Sequence, residues 1–184
     1  MTSWKLKAQR MRVPAGTVLG VIFLLLMHPS FRSLWLGAII TLAGALLRLW
    51  AAGHIIKGRV LTRSGPYAYS RNPLYLGSFF MALGIIVGGQ GYWLLPVFAL
   101  FFVAFYLPSM KAEEQELLRS YGDEFVVYSK KVSFFIPRFR SAGYPVSGFL
   151  WSRVIRNREH RTIIGLFLAE AVLVLKYVLK YHLQ

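Results

Sequence analysis

The chain has 184 residues, 56% of them hydrophobic, and a mean hydropathy of +0.50, which suits one domain but is too apolar for an ordinary soluble one. Cysteine is absent, so disulfides, thiolate metal sites and cysteine nucleophiles are excluded. The net charge of +15 is scattered through polar loops without a nucleic-acid motif, which points to positive-inside loops and anionic lipid rather than nucleic acid.

Residues 1–12 are polar and basic, carrying Lys5, Lys7, Arg10 and Arg12. The apolar run Val13 to Met27 lacks a small-residue cleavage pattern after it and reads as a retained helix rather than a signal peptide. A second span covers Leu34 to Ala52, interrupted by Arg48 near its end. An arginine there either snorkels to the interface or faces a polar cavity, and snorkelling is the expectation. Leu74 to Val87 and Tyr92 to Leu107 read as a helical hairpin around the glycine turn Gly88-Gly89-Gln90-Gly91. Helices joined that tightly lie antiparallel and adjacent, so their far ends meet at one membrane surface. Residues 109–122 form a further helix, with Ser109 as N-cap and Gly122 as the stop. Residues 123–138 mix aromatics with lysines and suit an interfacial segment. A connector with Gly143, Pro145 and Gly148 follows. The last apolar run, Thr162 to Leu179, contains Glu170; it either spans or lies flat, and spanning is the expectation.

Two polar segments meet at the hairpin's far end. One is the turn RSGPYAYSRNPLYLG, Arg63 to Gly77, in the loop that also holds Lys57, Arg59 and Arg71. Asn72 reads as an N-cap and Pro73 as the first helical residue. The other contains Glu113, Glu114 and Glu116, three of only seven acids in the chain. A carboxylate beside a membrane needs a partner; Arg63, Arg71 or a cationic ligand qualify, as does a solvated pairing with Lys111 or Arg119. Adjacent glutamates lie about 100° apart on a helix, so one meets a ligand and the other a structural arginine. Charge asymmetry places the N-terminus, the turn and the glutamates on the cytoplasmic side. His28, His54, His160 and His182 have no metal-ligand spacing, no metal is expected, and His54 reads as structural.

The ordered combination of RSGPYAYSRNPLYLG, a hydrophobic hairpin, a Glu-Glu pair and LLRSYGDEFVVYSKKVSFFIPR resembles the isoprenylcysteine carboxyl methyltransferase and phospholipid methyltransferase family over about residues 44–139. The family's signature is RHPxYxG followed by a Glu-Glu pair; here Asn72 stands where the family has histidine, and asparagine cannot carry a proton. The resemblance implies an all-α, polytopic membrane bundle of about five transmembrane helices, a single domain over 1–184, with interfacial helices closing a cofactor site at the cytoplasmic face. It implies S-adenosylmethionine as cofactor, with contacts from Asn72, Pro73, Tyr75, Leu76, Gly77, Glu113 and Glu114. Glu114 is the choice for the cofactor's ribose or ammonium. Tyr67 and Tyr69 would wall the adenine or the substrate entrance, and Arg71, Glu114 and Arg138 would form the catalytic set. The acceptor would be a lipid or lipidated molecule in the bilayer, either a carboxylate held by Arg63, Arg71 or Arg138, or an amine deprotonated by Glu113 or His54. A prokaryotic inner membrane is the expected location. A membrane reductase using NADPH and a non-catalytic scaffold are the competing readings.

Overall fold

The structure is a computed structural model and describes residues 3–56, 60–144 and 148–182; Lys57, Arg59 and Pro145 lie outside the described residues. The elements are α1 (Ser3–Leu26), α2 (Phe31–His54), a 3₁₀ turn (Gly65–Ala68), α3 (Pro73–Gly88), a 3₁₀ turn (Tyr92–Leu94), α4 (Leu95–Phe101), a π-helical turn (Phe102–Tyr106), α5 (Leu107–Lys131), α6 (Trp151–Arg156) and α7 (Glu159–His182). Extended pairing among the described residues is limited to an isolated parallel bridge between Ser70 and Ser133.

Phe31–His54, the continuous helix Tyr92–Lys131 and Glu159–His182 are long and apolar enough to cross a membrane. Val13–Leu26 and Pro73–Gly88 are apolar but shorter: the 16 residues of α3 reach about 24 Å against a hydrocarbon core of about 30 Å. Several long apolar helices are what an integral, multi-pass membrane protein requires: among the described residues, three are long and apolar enough to span and two are shorter.

The closest packing in the bundle joins α3 to α2, which the short Gly88–Gly91 turn did not foretell. The two helices run antiparallel with glycines interlocked. A Cβ on Gly84 would lie 2.2 Å from the Thr41 Oγ1, one on Gly37 would lie 2.5 Å from the Gly88 Cα, and one on Gly44 would lie 2.7 Å from the Gly77 carbonyl oxygen. Lipid supplies little hydrophobic drive between helices, so close backbone approach through small residues is what holds them. Ser30 and Ser33 form a reciprocal capping box at the start of α2. The Ser33 hydroxyl also donates to the Gly88 carbonyl at 2.8 Å, fixing the same interface at its far end.

The expected hairpin does form on the other face of α3. Phe79 meets Phe98 at 5.4 Å and Phe102 at 5.2 Å between ring centroids, and Tyr75 meets Tyr106 at 5.8 Å. The helix beyond Tyr92 does not restart at Ser109. It continues to Lys131, and the buried Ser109 hydroxyl back-bonds to the Phe105 carbonyl at 2.8 Å instead of capping. Pro108 lacks an N–H and crowds the carbonyl four residues back; the π turn at Phe102–Tyr106 widens the helix just where that clash falls. Gly122 likewise bends the helix rather than ending it. Its φ of 50° with ψ of −126° suits only glycine, and helix resumes to Lys131.

Two half-buried cations lock α7 in place. Arg48 does not snorkel. It forms a two-pronged pair with Glu159, Nε to Oε2 at 2.9 Å and Nη2 to Oε1 at 2.7 Å, and its Nη1 donates to the Leu74 carbonyl and the Ser78 hydroxyl. A charge this far from water needs such a partner set. Near the other end, the Lys176 ammonium donates to the carbonyls of Leu24, Leu25 and Met27, capping the C-terminus of α1.

Candidate active site

The turn Arg63–Pro73 is held by the strand-like segment that leaves α5. The Arg71 N–H donates to the Ser133 carbonyl at 2.9 Å, the Arg138 N–H to Tyr69 at 3.2 Å and the Ala142 N–H to Ala68 at 3.1 Å. Ser70 Oγ donates to the Phe135 carbonyl at 2.8 Å, and the Tyr128 hydroxyl donates to the Tyr67 carbonyl at 2.8 Å. Residues more than sixty positions apart are thus clamped mostly through main-chain atoms, and side-chain identity is left free for other work.

Asn72 occupies the N-cap position of α3, but its side chain does not cap. Its Nδ2 donates to the Phe134 carbonyl at 2.9 Å, so the carboxamide is a clamp component. Pro73 opens α3 as expected. One helical face then carries Tyr75, whose hydroxyl donates to Glu113 Oε1 at 2.5 Å. Glu114, one residue on, turns to Arg71, with 3.1 Å between Nη1 and Oε1. The two acids diverge as helix geometry requires: the arginine goes to Glu114 and the phenol to Glu113. Glu113 and Glu116 are exposed and Glu114 is half-buried.

Arg71, Tyr75, Glu113 and Glu114 therefore come together where the hairpin's far ends meet. Three polar atoms of this group and beside it are buried without a hydrogen-bond partner among the described residues: the Arg71 Nε, the Tyr67 hydroxyl and the Glu114 Oε1, the last in ion-pair contact with Arg71 only. Burial pushes the Tyr67 phenol well above its ordinary value, so it is a neutral group able to donate and accept. Orphaned buried donors are costly and are a mark of a ligand position.

The remaining expected contacts separate from this group. Tyr69, Pro73 and Leu76 line an apolar cavity of about 160 Å³ with Trp50, Pro66 and Pro137. Gly77 faces α2, where a Cβ would strike Arg48 and the Gly44 carbonyl. Arg138 contributes its main chain to the clamp, but its guanidinium turns outward to the Lys131 carbonyl at 2.8 Å. Arg63 lies farther out, 2.9 Å from Glu124 and 4.9 Å above the Tyr144 ring. His54 is buried with Nδ1 on the Trp50 carbonyl at 2.8 Å and its ring against Phe149, apart from the Arg71–Glu114 group. Sequence reasoning did not find Trp50, Pro137 or the Arg48–Glu159 pair. The pair had a signal, since an intramembrane arginine demands an acid and few acids were available.

Residues 49–124 match the family model described as phospholipid methyltransferase. The chain is 31% identical over 142 residues to a nickel-cobalt-cadmium resistance protein, NccN, of Alcaligenes xylosoxydans xylosoxydans, covering 71% of this chain and 65% of that one. It is 31% identical over 114 residues to the protein-S-isoprenylcysteine O-methyltransferase of Saccharomyces cerevisiae, covering 55% of this chain and 48% of that enzyme. The same-named enzyme of Schizosaccharomyces pombe is 37% identical over 83 residues, covering 44% of this chain and 34% of that enzyme. The chain thus spans less than two thirds of the length of each. No solved structure matches. Among the described residues, no group of three or more His, Asp or Glu side chains is placed to hold a metal ion.

Proposed function

We propose that this chain, a member of the phospholipid methyltransferase family, transfers a methyl group from S-adenosylmethionine to a lipid-like carboxylate at a membrane interface. The observation that carries this reading is the half-buried Arg71, held at Nη1 by Glu114 while its Nε is buried and unpartnered. A carboxylate nucleophile needs no base; it needs a cation that orients it without neutralising it. Arg71 Nε is such a donor, and Glu114 keeps the guanidinium from closing on the acceptor alone.

The donor set fits the cofactor. Glu113 and Glu114 are carboxylates suited to an ammonium or ribose hydroxyls, and Tyr67 supplies a neutral hydroxyl beside them. When bound, the cofactor supplies an electrophilic methyl on a sulfonium. Tyr75 fixes the Glu113 carboxylate and Asn72 fixes the turn on Phe134. Positioning of this kind is worth about 7–11 kcal/mol at best. The bundle would have five helices in the bilayer, with the N-terminus and site at the cytoplasmic side of a bacterial inner membrane, and the acceptor would arrive laterally from the leaflet.

The Tyr75–Glu113 contact favours a second reading, N-methylation of a phospholipid amine, because a carboxylate at the site can take the proton that an amine must lose. Thermal stability of the purified protein tests the cofactor assignment. S-adenosylhomocysteine should raise the unfolding temperature as RT ln(1+[L]/Kd) while NADPH does not, and Glu114→Ala should abolish the shift. Protection by NADPH alone, or by neither nucleotide, would remove the methyltransferase reading.

A further inference from the structure

The outer side of the clamp presents two large apolar groups to the surroundings. Ile136 is 77% exposed and Phe139 is 106% exposed, a value as high as an isolated residue would show. They bracket Pro137 and Arg138 on a knuckle that cannot turn inward. The Arg138 N–H is bonded to Tyr69, the Ala142 N–H to Ala68, and the Phe134 and Phe135 carbonyls accept from Asn72 and Ser70. These bonds fix the backbone of the turn, and both side chains stand outside it with their apolar surface uncovered.

Charge identifies the surface that meets them. From residue 125 to residue 158 the chain has no Asp or Glu, while Lys130, Lys131, Arg138, Arg140, Arg153, Arg156 and Arg158 all fall in that stretch. The neighbouring α6 repeats the pattern. It exposes Trp151 and Ile155 beside Arg153 and Arg156, and is tied to the last turn of α2 by the Leu150 N–H on the Gly53 carbonyl at 3.1 Å. Both apolar tips thus stand at the end of a membrane-spanning helix, each flanked by arginine. Apolar tips inside a ring of cations match an anionic bilayer surface, where rings enter the headgroup boundary and cations meet phosphates.

We propose that residues 136–140 form an anchor seated in an anionic leaflet, with Ile136 and Phe139 inserted at the headgroup boundary and Arg138 and Arg140 paired with lipid phosphates. The consequence reaches the neighbouring apolar cavity, because Pro137 between these tips is one of its walls, with Trp50, Tyr69, Pro73 and Leu76. The leaflet surface would hold that wall in place, and the cavity would open at the depth where lipid headgroups lie. This inference rests on the membrane placement and not on methyl transfer, so the two can fail separately.

The absence of cysteine makes the test direct. Single variants Ile136→Cys, Phe139→Cys and, as a solvent-facing control on α5, Ser120→Cys would carry a nitroxide label in the full chain. Each would be reconstituted in nanodiscs of phosphatidylcholine with or without phosphatidylglycerol, and collision with oxygen compared with collision with a water-soluble nickel chelate. The labels at 136 and 139 should favour oxygen over nickel at least threefold more than the label at 120. The preference should grow with phosphatidylglycerol and lose that dependence when Arg138→Gln and Arg140→Gln are added to Phe139→Cys. Nickel access equal to that at 120 would overturn the anchor, insensitivity to phosphatidylglycerol would overturn the anionic surface, and label–label broadening at 139 would show a second copy there instead.

Discussion

The α2–α3 interface and the turn–clamp region meet at Pro73, yet they are held by opposite means. Between the helices, glycine faces glycine at backbone distance, and a methyl group has nowhere to go. In the clamp, carbonyls and N–H groups bond across irregular chain, and four buried polar atoms, on Tyr67, Arg71, Glu114 and Tyr144, are left without a hydrogen-bond partner among the described residues. The first region solves packing in lipid by close backbone contact and leaves one buried side-chain oxygen, the Thr41 hydroxyl, without a hydrogen-bond partner among the described residues. The second leaves polar capacity unused in a place where that is costly, and such incompleteness is what a ligand would complete.

The largest effect should come from the packed region. Gly84→Val places a branched side chain against Thr41 and the Gly37 carbonyl; overpacking costs about 1–3 kcal/mol when side chains can move, and here backbone blocks the way. Size-exclusion chromatography in detergent should show no monodisperse protein, whereas Gly20→Val and Gly165→Val, where no atom lies within 4 Å of a Cβ, should elute as the parent does. Next, Arg48→Ala strands the buried Glu159 and should cost about 3–5 kcal/mol in thermal unfolding. Arg48→Leu with Glu159→Leu should recover most of that loss, and failure of the double variant to recover would mean that the pair's hydrogen bonds to Leu74 and Ser78 matter more than its charge.

These two regions also differ in how readable they were. The Arg63–Gly77 turn, the Pro73 helix start and the meeting of the turn with Glu113 and Glu114 were legible, because each follows from local turn chemistry or from one short connection. The choice of α2 as the principal partner of α3 was not read, although Gly37, Thr41 and Gly44 against Gly77, Gly84 and Gly88 hold the spacing of a small-residue face. The clamp at 133–142 has no period to detect, since its bonds run through the main chain. Ser109 and Gly122 misled because a proline-widened helix and a kinked helix carry the same residues that caps do.

Smaller effects belong to the clamp and sharpen the contrast. Glu114→Gln should lower affinity for S-adenosylhomocysteine at least tenfold, about 1.4 kcal/mol, by isothermal titration. Tyr67→Phe removes a buried hydroxyl that has no partner. It should leave the ligand-free protein as stable as the parent or slightly more so, by up to about 1 kcal/mol, and weaken ligand binding. Loss of stability in that variant, with binding intact, would make Tyr67 an ordinary core residue.

Methyl transfer into lipid tests the central claim most directly. The purified protein in nanodiscs of bacterial lipid extract, given S-adenosylmethionine with an isotopically labelled methyl group, should place the label in the organic phase as a base-labile ester, and Arg71→Ala should abolish it. Label in a base-stable N-methyl lipid would move the assignment to amine transfer. Cofactor binding without label in any lipid or lipidated acceptor would contradict the account.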